Sequence, residues 1–133
     1  MRWILPAVLA AALLPGCGQS ASRDDVRAVT DRFYAAVADD DGATACAQLT
    51  EQTLKQLEQD EKATCAQAVG DLGLAPARIA RVEVYITNAK VDLANGASAY
   101  LEQTAHGWRI SALGCRATEG DPEDQPQSCA AES

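Results

Sequence analysis

The chain has few of the residues with which proteins bind nucleic acids. Its 133 residues include 11 lysines and arginines against 19 aspartates and glutamates, for a net charge of −8. The basic residues form no cluster interleaved with aromatic residues, and an acidic surface repels phosphate groups. The composition therefore predicts that neither nucleic acid nor anionic lipid headgroups bind the folded part.

Metal ligands are also scarce. His106 is the single histidine and no Cys-x-x-Cys pair is present, so the ligand spacing of a zinc site is missing. The acidic run Asp39-Asp40-Asp41-Gly42 does not fit an EF-hand, because the register that suits Asp41 puts Val37 at the first ligand position. We therefore predict no metal ion and no cofactor, and interpret the acidic run as a helix end followed by a turn.

The sequence has no apolar run long enough to cross a bilayer, which takes about 20 residues of helix. The uncharged N-terminal stretch covers residues 3–14, after Arg2 and ahead of Pro15-Gly16-Cys17. A basic residue, a short apolar segment and a small-residue junction follow the order of an export signal peptide. The N-terminus therefore predicts export rather than a membrane span.

The Leu14-Pro15-Gly16-Cys17 junction resembles the cleavage site of bacterial lipoproteins, although Pro15 departs from the usual small or aliphatic residue. The resemblance implies that residues 1–16 are a signal peptide and that diacylglycerol is attached to the sulfur of Cys17. Together with a further fatty acid such as palmitate, this modification would anchor the protein in the cell membrane at its extracytoplasmic face, since two or more acyl chains hold stably. Loss of Arg2 would change the net charge to −9. The alternative is a secreted protein in which Cys17 is a free thiol.

Four cysteines remain once Cys17 is set aside. An even number outside the cytoplasm indicates two disulfides, for which three pairings are possible. We favour the sequential pairing, because the segment before the last cysteine is rich in proline and acidic residues and has no apolar periodicity. The predicted bonds are Cys46–Cys65 and Cys115–Cys129.

Helical periodicity dominates the first half of the mature chain. After a tether at residues 17–22, apolar residues at helical spacing predict a helix over about 23–38, with Ser22 and Asp25 as a capping box. The helix-prone segment 43–70 must fold back on itself if Cys46 and Cys65 bond. Thr50 and Asp60 are the expected caps between short helices. We place these helices at 43–49, 51–58 and 61–69.

From residue 79 the apolar residues alternate with polar ones, which is typical of strands with one buried face. Asn95-Gly96 predicts a two-residue hairpin turn, and His106-Gly107 a second tight turn. The sequence therefore predicts an antiparallel meander of four strands. Residues 116–133 are predicted to be an acidic tail held by its disulfide.

This order of one long helix, small helices and a final curved sheet resembles the NTF2-like superfamily of α+β domains, in particular small actinobacterial lipoproteins that carry such a domain. The resemblance rests on the helix around Tyr34, on Gly107-Trp108-Arg109-Ile110 in the last strand and on the Gly114-Cys115 pair, and covers about residues 22–115. It implies an NTF2-like domain at 23–115 with a conical pocket. Members include isomerases, dehydratases, cyclases and non-catalytic binding domains, so the fold alone does not decide function.

An enzyme of this kind would need acid–base groups in the pocket. Tyr34 is expected to pack in the core helix, four candidates fall on the polar side of the strands, and His106 falls in a turn. No two candidates have a spacing that requires a shared site. The candidates are Tyr34, Glu83, Tyr85, Asp92, Tyr100 and His106.

We therefore predict no catalytic residues and no enzymatic activity. The expected function is that of a membrane-anchored extracytoplasmic lipoprotein whose domain binds a small apolar ligand or an envelope protein. Two alternatives stay open at this point. One is an isomerase- or cyclase-type enzyme that uses the cone pocket, and the other is a structural module that dimerises through the outer face of the sheet.

Overall fold

The computed structural model describes residues 18–117 and 127–133. Four helices come first and an antiparallel sheet follows, so the predicted α+β class and element order are confirmed. The helices are α1 (Gly18–Ala38), α2 (Gly42–Ala47), α3 (Glu51–Glu61) and α4 (Cys65–Asp71). The strands are β1 (Ile79–Tyr85), β2 (Asn88–Leu93), β3 (Ser98–Thr104), β4 (Gly107–Ala117), β5 (Gln127–Ser128) and β6 (Ala131–Glu132).

Helix α1 buries the stripe that the periodicity predicts, with Val26, Val29 and Phe33 in the core. It begins earlier than expected, however, so that residues 18–22, predicted as a tether, are helical. The Ser22 hydroxyl donates a hydrogen bond to the carbonyl oxygen of Gly18 at 2.9 Å. Ser22 therefore lies inside the helix, and the predicted capping box is wrong. Cys17 and the predicted signal peptide 1–16 lie outside the described residues.

Polar caps set the ends of the short helices. The Thr50 hydroxyl accepts a hydrogen bond from the amide of Thr53, which confirms Thr50 as the N-cap of α3. Helix α3 runs past Asp60 to Glu61, and its C-cap residue Lys62 has a φ of 50°. Thr64 caps α4 instead of Asp60, so that part of the prediction is wrong. Asp41 caps α2, with its carboxylate accepting from the amide and the hydroxyl of Thr44.

The disulfide Cys46–Cys65 joins α2 to α4, as predicted, with the two Cα atoms 6.1 Å apart. Gly42 lies one helical turn before Cys46 and faces the same helix. A Cβ atom at Gly42 would lie 2.6 Å from the carbonyl oxygen of Ala66. Helices α2 and α4 therefore approach each other closely only because residue 42 has no side chain.

The four long strands pair as an antiparallel meander in the order β1-β2-β3-β4, but the sheet has six strands in the described part of the chain and not the predicted four. The turn between β2 and β3 contains Asn95 and Gly96, but its geometry differs from the prediction. The amide of Gly96 donates to the carbonyl oxygen of Leu93, and the amide of Leu93 donates to that of Ala97. Only Gly96 has a positive φ, 86°, so the loop has three residues with the glycine in the left-handed position.

The C-terminal tail adds strands that the sequence did not predict. Strands β5 and β6 both pair antiparallel with β4. The disulfide Cys115–Cys129 joins β4 to the C-terminal tail, as predicted, with the two Cα atoms 3.8 Å apart. Gly114 has φ 62°, and a Cβ atom there would lie 2.8 Å from the Cβ of Ala130. The tail is therefore part of the sheet and not only a tethered segment. Residues 118–126 lie outside the described residues.

The edge of β4 that faces away from β3 is covered along much of its length. The amide of Ile110 donates to the carbonyl oxygen of Gln48, and the amide of Thr50 donates to that of Ile110. The Thr53 hydroxyl donates to the carbonyl oxygen of Ser111 at 2.8 Å. Strands β6 and β5 of the tail cover this edge at residues 112–113 and 116–117. On the opposite side of the sheet, β1 has no further strand partner among the described residues.

Helix α1 fills the inner face of the sheet. Phe33 is fully buried and contacts the core that Leu101, Ile110 and Leu113 provide from β3 and β4. Every buried side-chain nitrogen or oxygen in the described part of the chain has a hydrogen-bond partner. Within residues 18–117 and 127–133, no helix has both the length and the apolar character needed to span a bilayer.

Candidate functional site

Four of the candidate residues lie on the outer face of the sheet, as expected. The strand register puts Glu83, Lys90 and Tyr100 side by side across β1, β2 and β3. The Tyr85 hydroxyl donates to the Glu83 carboxylate at 2.7 Å. The Asp92 carboxylate accepts from Ser98 at 2.8 Å and lies 3.4 Å from the Lys90 ammonium. These polar groups therefore bond to one another across an open face.

Tyr34 lies at the other side of the sheet, buried in α1. Its ring packs edge-to-face against Phe33 with the ring centroids 5.2 Å apart. Burial raises the pKa of the Tyr34 hydroxyl to about 12, so it keeps its proton at neutral pH. It borders a shallow cleft of about 300 Å³ that also includes Asp31 and Arg78. A protonated phenol can donate a hydrogen bond to a ligand but does not act as a base there.

His106 is exposed in the turn between β3 and β4, as its predicted position indicates. The amide of His106 donates to the hydroxyl of Thr104, and that hydroxyl donates to the carbonyl oxygen of Gly107. Gly107 supplies the positive φ, 95°, that this turn requires. The turn is thus fixed by its own hydrogen bonds, and the imidazole projects beside a cleft.

That cleft lies between the loop that joins α2 to α3 and the β3–β4 hairpin, and its volume is about 510 Å³. Its lining is mixed: Leu49, Leu54 and Ala105 provide apolar surface, and polar side chains come from both segments. Thr50 lies at its base and is held by the hydrogen bonds that fix α3 to β4. The cleft is therefore built from two segments that lie fifty residues or more apart in the sequence but are hydrogen-bonded to each other in the fold.

Charged groups surround the mouth of this cleft. The hydrogen bond from Lys55 at 2.6 Å, its positive charge and, to a smaller extent, the nearby His106 lower the pKa of the Glu51 carboxyl. The Arg109 guanidinium is half-buried and donates to the carbonyl oxygen of Trp108. Glu51, His106 and Arg109 therefore offer a carboxylate, an imidazole and a guanidinium around a cleft that also has apolar surface.

The structure brings His106 together with Glu51 and Arg109, which the sequence did not identify, and leaves Tyr34 elsewhere. The nearest signals in the sequence were the cap at Thr50, which starts α3 at Glu51, and the turn at His106. Neither signal indicates that the two segments meet. Among the described residues, no group of three or more histidine, cysteine or acidic side chains is arranged to hold a metal ion.

Comparisons with known proteins give a likeness of shape only. No protein-family model and no curated protein matches the chain. The chain is similar to a solved structure of Rv3472, a Mycobacterium tuberculosis protein of unknown function, at 16% identity and a TM-score of 0.43. That match covers 91% of this chain and 75% of the other. A likeness at this level carries no argument about activity.

Proposed function

We propose that the protein is a lipid-anchored extracytoplasmic lipoprotein whose NTF2-like domain binds a small ligand without catalysing a reaction. The cleft between the α2–α3 loop and the β3–β4 hairpin is the proposed binding site. The anchor is proposed from Gly16-Cys17 and the apolar segment before it. The packing of α1 against β1, β2 and β4 supports the NTF2-like assignment.

One observation carries the binding proposal: a cleft of about 510 Å³ in which apolar surface from Leu49, Leu54 and Ala105 lies beside charged groups. Sites for small molecules are mostly apolar clefts of about 300–1,000 Å³ with a few polar groups that fix orientation. Leu49 and Leu54 would contact the apolar body of the ligand. Arg109 and His106 would face a polar or anionic group on it. We therefore expect a ligand with an apolar body and one anionic end.

The acid–base residues that the sequence suggested lie apart, and Glu51, which lines the cleft with His106, is bonded to Lys55; both observations support binding over catalysis. General acid–base chemistry needs the participating groups within hydrogen-bond reach of one reacting centre. Tyr34 is a buried residue of α1, Glu83 and Asp92 lie on the outer face of the sheet, and His106 lies at a hairpin turn. The inner face, where an NTF2-like enzyme would have its pocket, is occupied here by Phe33 and the residues around it.

Intact mass tests the anchor. Protein extracted from membranes should have the mass of residues 17–133 plus a diacylglyceryl group and any further fatty acid. Reduction should add four hydrogens, because both disulfides open. An unmodified mass, or a Cys17 thiol that reacts with a maleimide, would contradict the lipoprotein assignment and indicate a secreted domain.

A cleft-filling variant tests the binding site. Anilinonaphthalene sulfonate has apolar rings and one anionic group, and is a suitable fluorescent probe. Ala47 lines the cleft, so Ala47→Trp should fill it and reduce probe binding at least tenfold. Ala43, which is also exposed on α2 but does not line the cleft, gives the control Ala43→Trp with unchanged binding. Equal binding by both folded variants would place the ligand elsewhere.

A further inference from the structure

The N-terminus of α1 lies at one particular end of the sheet. Asp25 and Arg32 of α1 line a cleft together with Gln103 and Trp108, which lie at the β3–β4 hairpin. Farther along the helix, Tyr34 lines a cleft with Asn95 and Arg116, at the opposite end of the strands. Helix α1 therefore begins beyond the β3–β4 hairpin end. Gly18 precedes Asp25 by seven residues, about 10 Å of helix.

The β1–β2 hairpin has its turn at this same end. The amide of Gln103 donates to the carbonyl oxygen of Thr87 at 2.8 Å, which fixes the turn beside the end of β3. Tyr85 and Ile86 in this hairpin are 58% and 91% exposed, and they are the large hydrophobic residues that are exposed in the described part of the chain. Both of these apolar side chains therefore lie at the end where the helix begins.

Ile86 also has a backbone conformation that does not suit it. Its φ is 50°, in the left-handed region that β-branched residues rarely adopt. Asparagine or glycine would occupy this position with less strain, and an exposed turn gives an isoleucine no packing in return. An isoleucine at this turn is therefore unexplained by the fold and points to a contact outside the domain.

We propose that the hairpin turn formed by Tyr85, Ile86 and Thr87 rests in the lipid bilayer and fixes the orientation of the domain on the membrane. The inference rests on the proposed acylation of Cys17, which immediately precedes the first residue of α1. An anchor at that point would hold the end of the sheet at which α1 begins, with its two hairpin turns, nearest to the bilayer. Ile86 can then enter the acyl-chain boundary, and Tyr85 can keep its hydroxyl at headgroup level, as aromatic residues at membrane interfaces do.

The acidity of the protein does not oppose this contact. Glu83, the closest acidic residue to the turn on β1, contacts the Arg81 guanidinium and accepts a hydrogen bond from Tyr85. The insertion depends on an apolar side chain and not on attraction to anionic headgroups. The acyl chains would supply the affinity, so the turn has only to select one orientation.

Tryptophan substitutions read out this orientation in the acylated protein. Ile86→Trp and the control Ala94→Trp both place an indole in an exposed turn, at opposite ends of the strands. The proteins are reconstituted in phosphatidylcholine vesicles with brominated acyl chains, which quench indoles that enter the bilayer. Trp108 also fluoresces but is only 4% exposed, and the quenching of the wild-type protein measures its contribution to the signal. We expect at least twofold quenching of the Ile86→Trp signal and none of the Ala94→Trp signal.

A second variant separates membrane contact from folding. Ile86→Asn suits the left-handed backbone and should fold, but it removes the apolar side chain. Vesicles should slow amide hydrogen exchange at residues 84–88 in the wild-type protein and not in Ile86→Asn. Equal quenching of the two tryptophan variants in protein that sediments with the vesicles would overturn the orientation and leave the anchor intact. Protein that does not sediment with vesicles would overturn both proposals.

Discussion

At the scale of single residues, the fold depends on a few buried polar groups that connect distant segments. The hydroxyl of Thr53 lies 2.7 Å from that of Thr50 and donates to the carbonyl oxygen of Ser111. Thr30 is also fully buried and donates to the carbonyl oxygen of Val26 within α1. Each hydroxyl is satisfied, so burial does not carry the cost of an unpaired polar group.

The strain at Ile86 predicts a stabilising substitution. Ile86→Asn should raise the free energy of unfolding by about 1 kcal/mol, because asparagine tolerates the left-handed region. Urea unfolding of the variant and of the wild-type protein measures this change. Thr87→Asn, at the neighbouring position where φ is not positive, is the control and should change stability little. A loss of stability in Ile86→Asn would show that the isoleucine packs inside the domain.

Burial of Tyr34 predicts an alkaline loss of stability. Its pKa is about 12 in the folded protein, above the unfolded value of about 10, so the folded state binds the proton more tightly. The resulting stabilisation is complete below about pH 10 and is lost as the pH rises to about 12. Urea unfolding across this range should show a smaller decline for Tyr34→Phe than for the wild-type protein. Parallel curves would mean that the Tyr34 hydroxyl reaches solvent freely.

The sequence predicted whether single residues are exposed better than it predicted which residues they contact. The polar side of the strands at Glu83 and Asp92 followed from alternation, and the exposure of His106 followed from the turn beside Gly107. The contribution of Glu51 and Arg109 to the same cleft could not be predicted, because alternation and capping describe each segment alone. The meeting of these segments depends on hydrogen bonds between Thr50 and Ile110.

At the scale of elements, the close pair of α2 and α4 is fixed by a glycine contact and a covalent bond. Gly42 faces Ala66, while Cys46 bonds to Cys65 in the next turn. The Cys46–Cys65 separation predicted that the helix-prone segment folds back, and this was correct. The partner of Gly42 could not be predicted, since a glycine after an acidic run is equally typical of a simple turn.

Two glycine-to-alanine substitutions should therefore have opposite effects. Gly42→Ala places a methyl group 2.6 Å from a backbone oxygen, and we expect a loss of about 1–3 kcal/mol. Gly70→Ala lies in α4 with no atom within 4 Å of the new methyl group, and should gain about 0.5–1 kcal/mol from helix propensity. Urea midpoints of the two variants compare them directly. Equal destabilisation would contradict the close approach of α2 to Ala66.

Element ends were the part of the fold that periodicity predicted least well. The start of α1 at Gly18 was not predicted, because its first two turns are largely exposed and show no apolar periodicity. The first buried residue of the helix is Val26. The turn at Ile86 was missed because isoleucine is not a turn residue. Strands β5 and β6 were missed because each has two residues, too few to show alternation.

At the scale of the whole molecule, the two disulfides perform different tasks. Cys46–Cys65 joins helices to each other, and Cys115–Cys129 joins the C-terminal tail to the last long strand. The sequential pairing could be favoured because the segment before Cys129 is a plausible closed loop. That this disulfide joins added strands to the sheet could not be predicted from the sequence. It is seen only from the pairing of β4 with β5 and β6.

Removing the second disulfide should loosen one edge of the sheet selectively. The double substitution Cys115→Ala and Cys129→Ala should cost about 3 kcal/mol in the chain-entropy description of a loop of this length. Amide exchange should rise at residues 128–132, where the amide of Ala130 donates to Leu113. The matched double substitution Cys46→Ala and Cys65→Ala should lower the free energy of unfolding by a similar amount. It should not raise amide exchange in the tail more than in the core. Similar exchange patterns in both variants would contradict this division.

The unequal edges of the sheet limit how copies of the protein can assemble. The outer side of β4 is covered from Ile110 onward by Gln48–Thr50, Thr53 and the tail, whereas β1 has no outer strand partner in the described part of the chain. A sheet with two open edges can add copies at both ends without limit, as in a fibre. A sheet with a single open edge can join one other such edge, and then no open edge is left. Edge-to-edge pairing through β1 would therefore stop at two molecules, whatever the protein concentration.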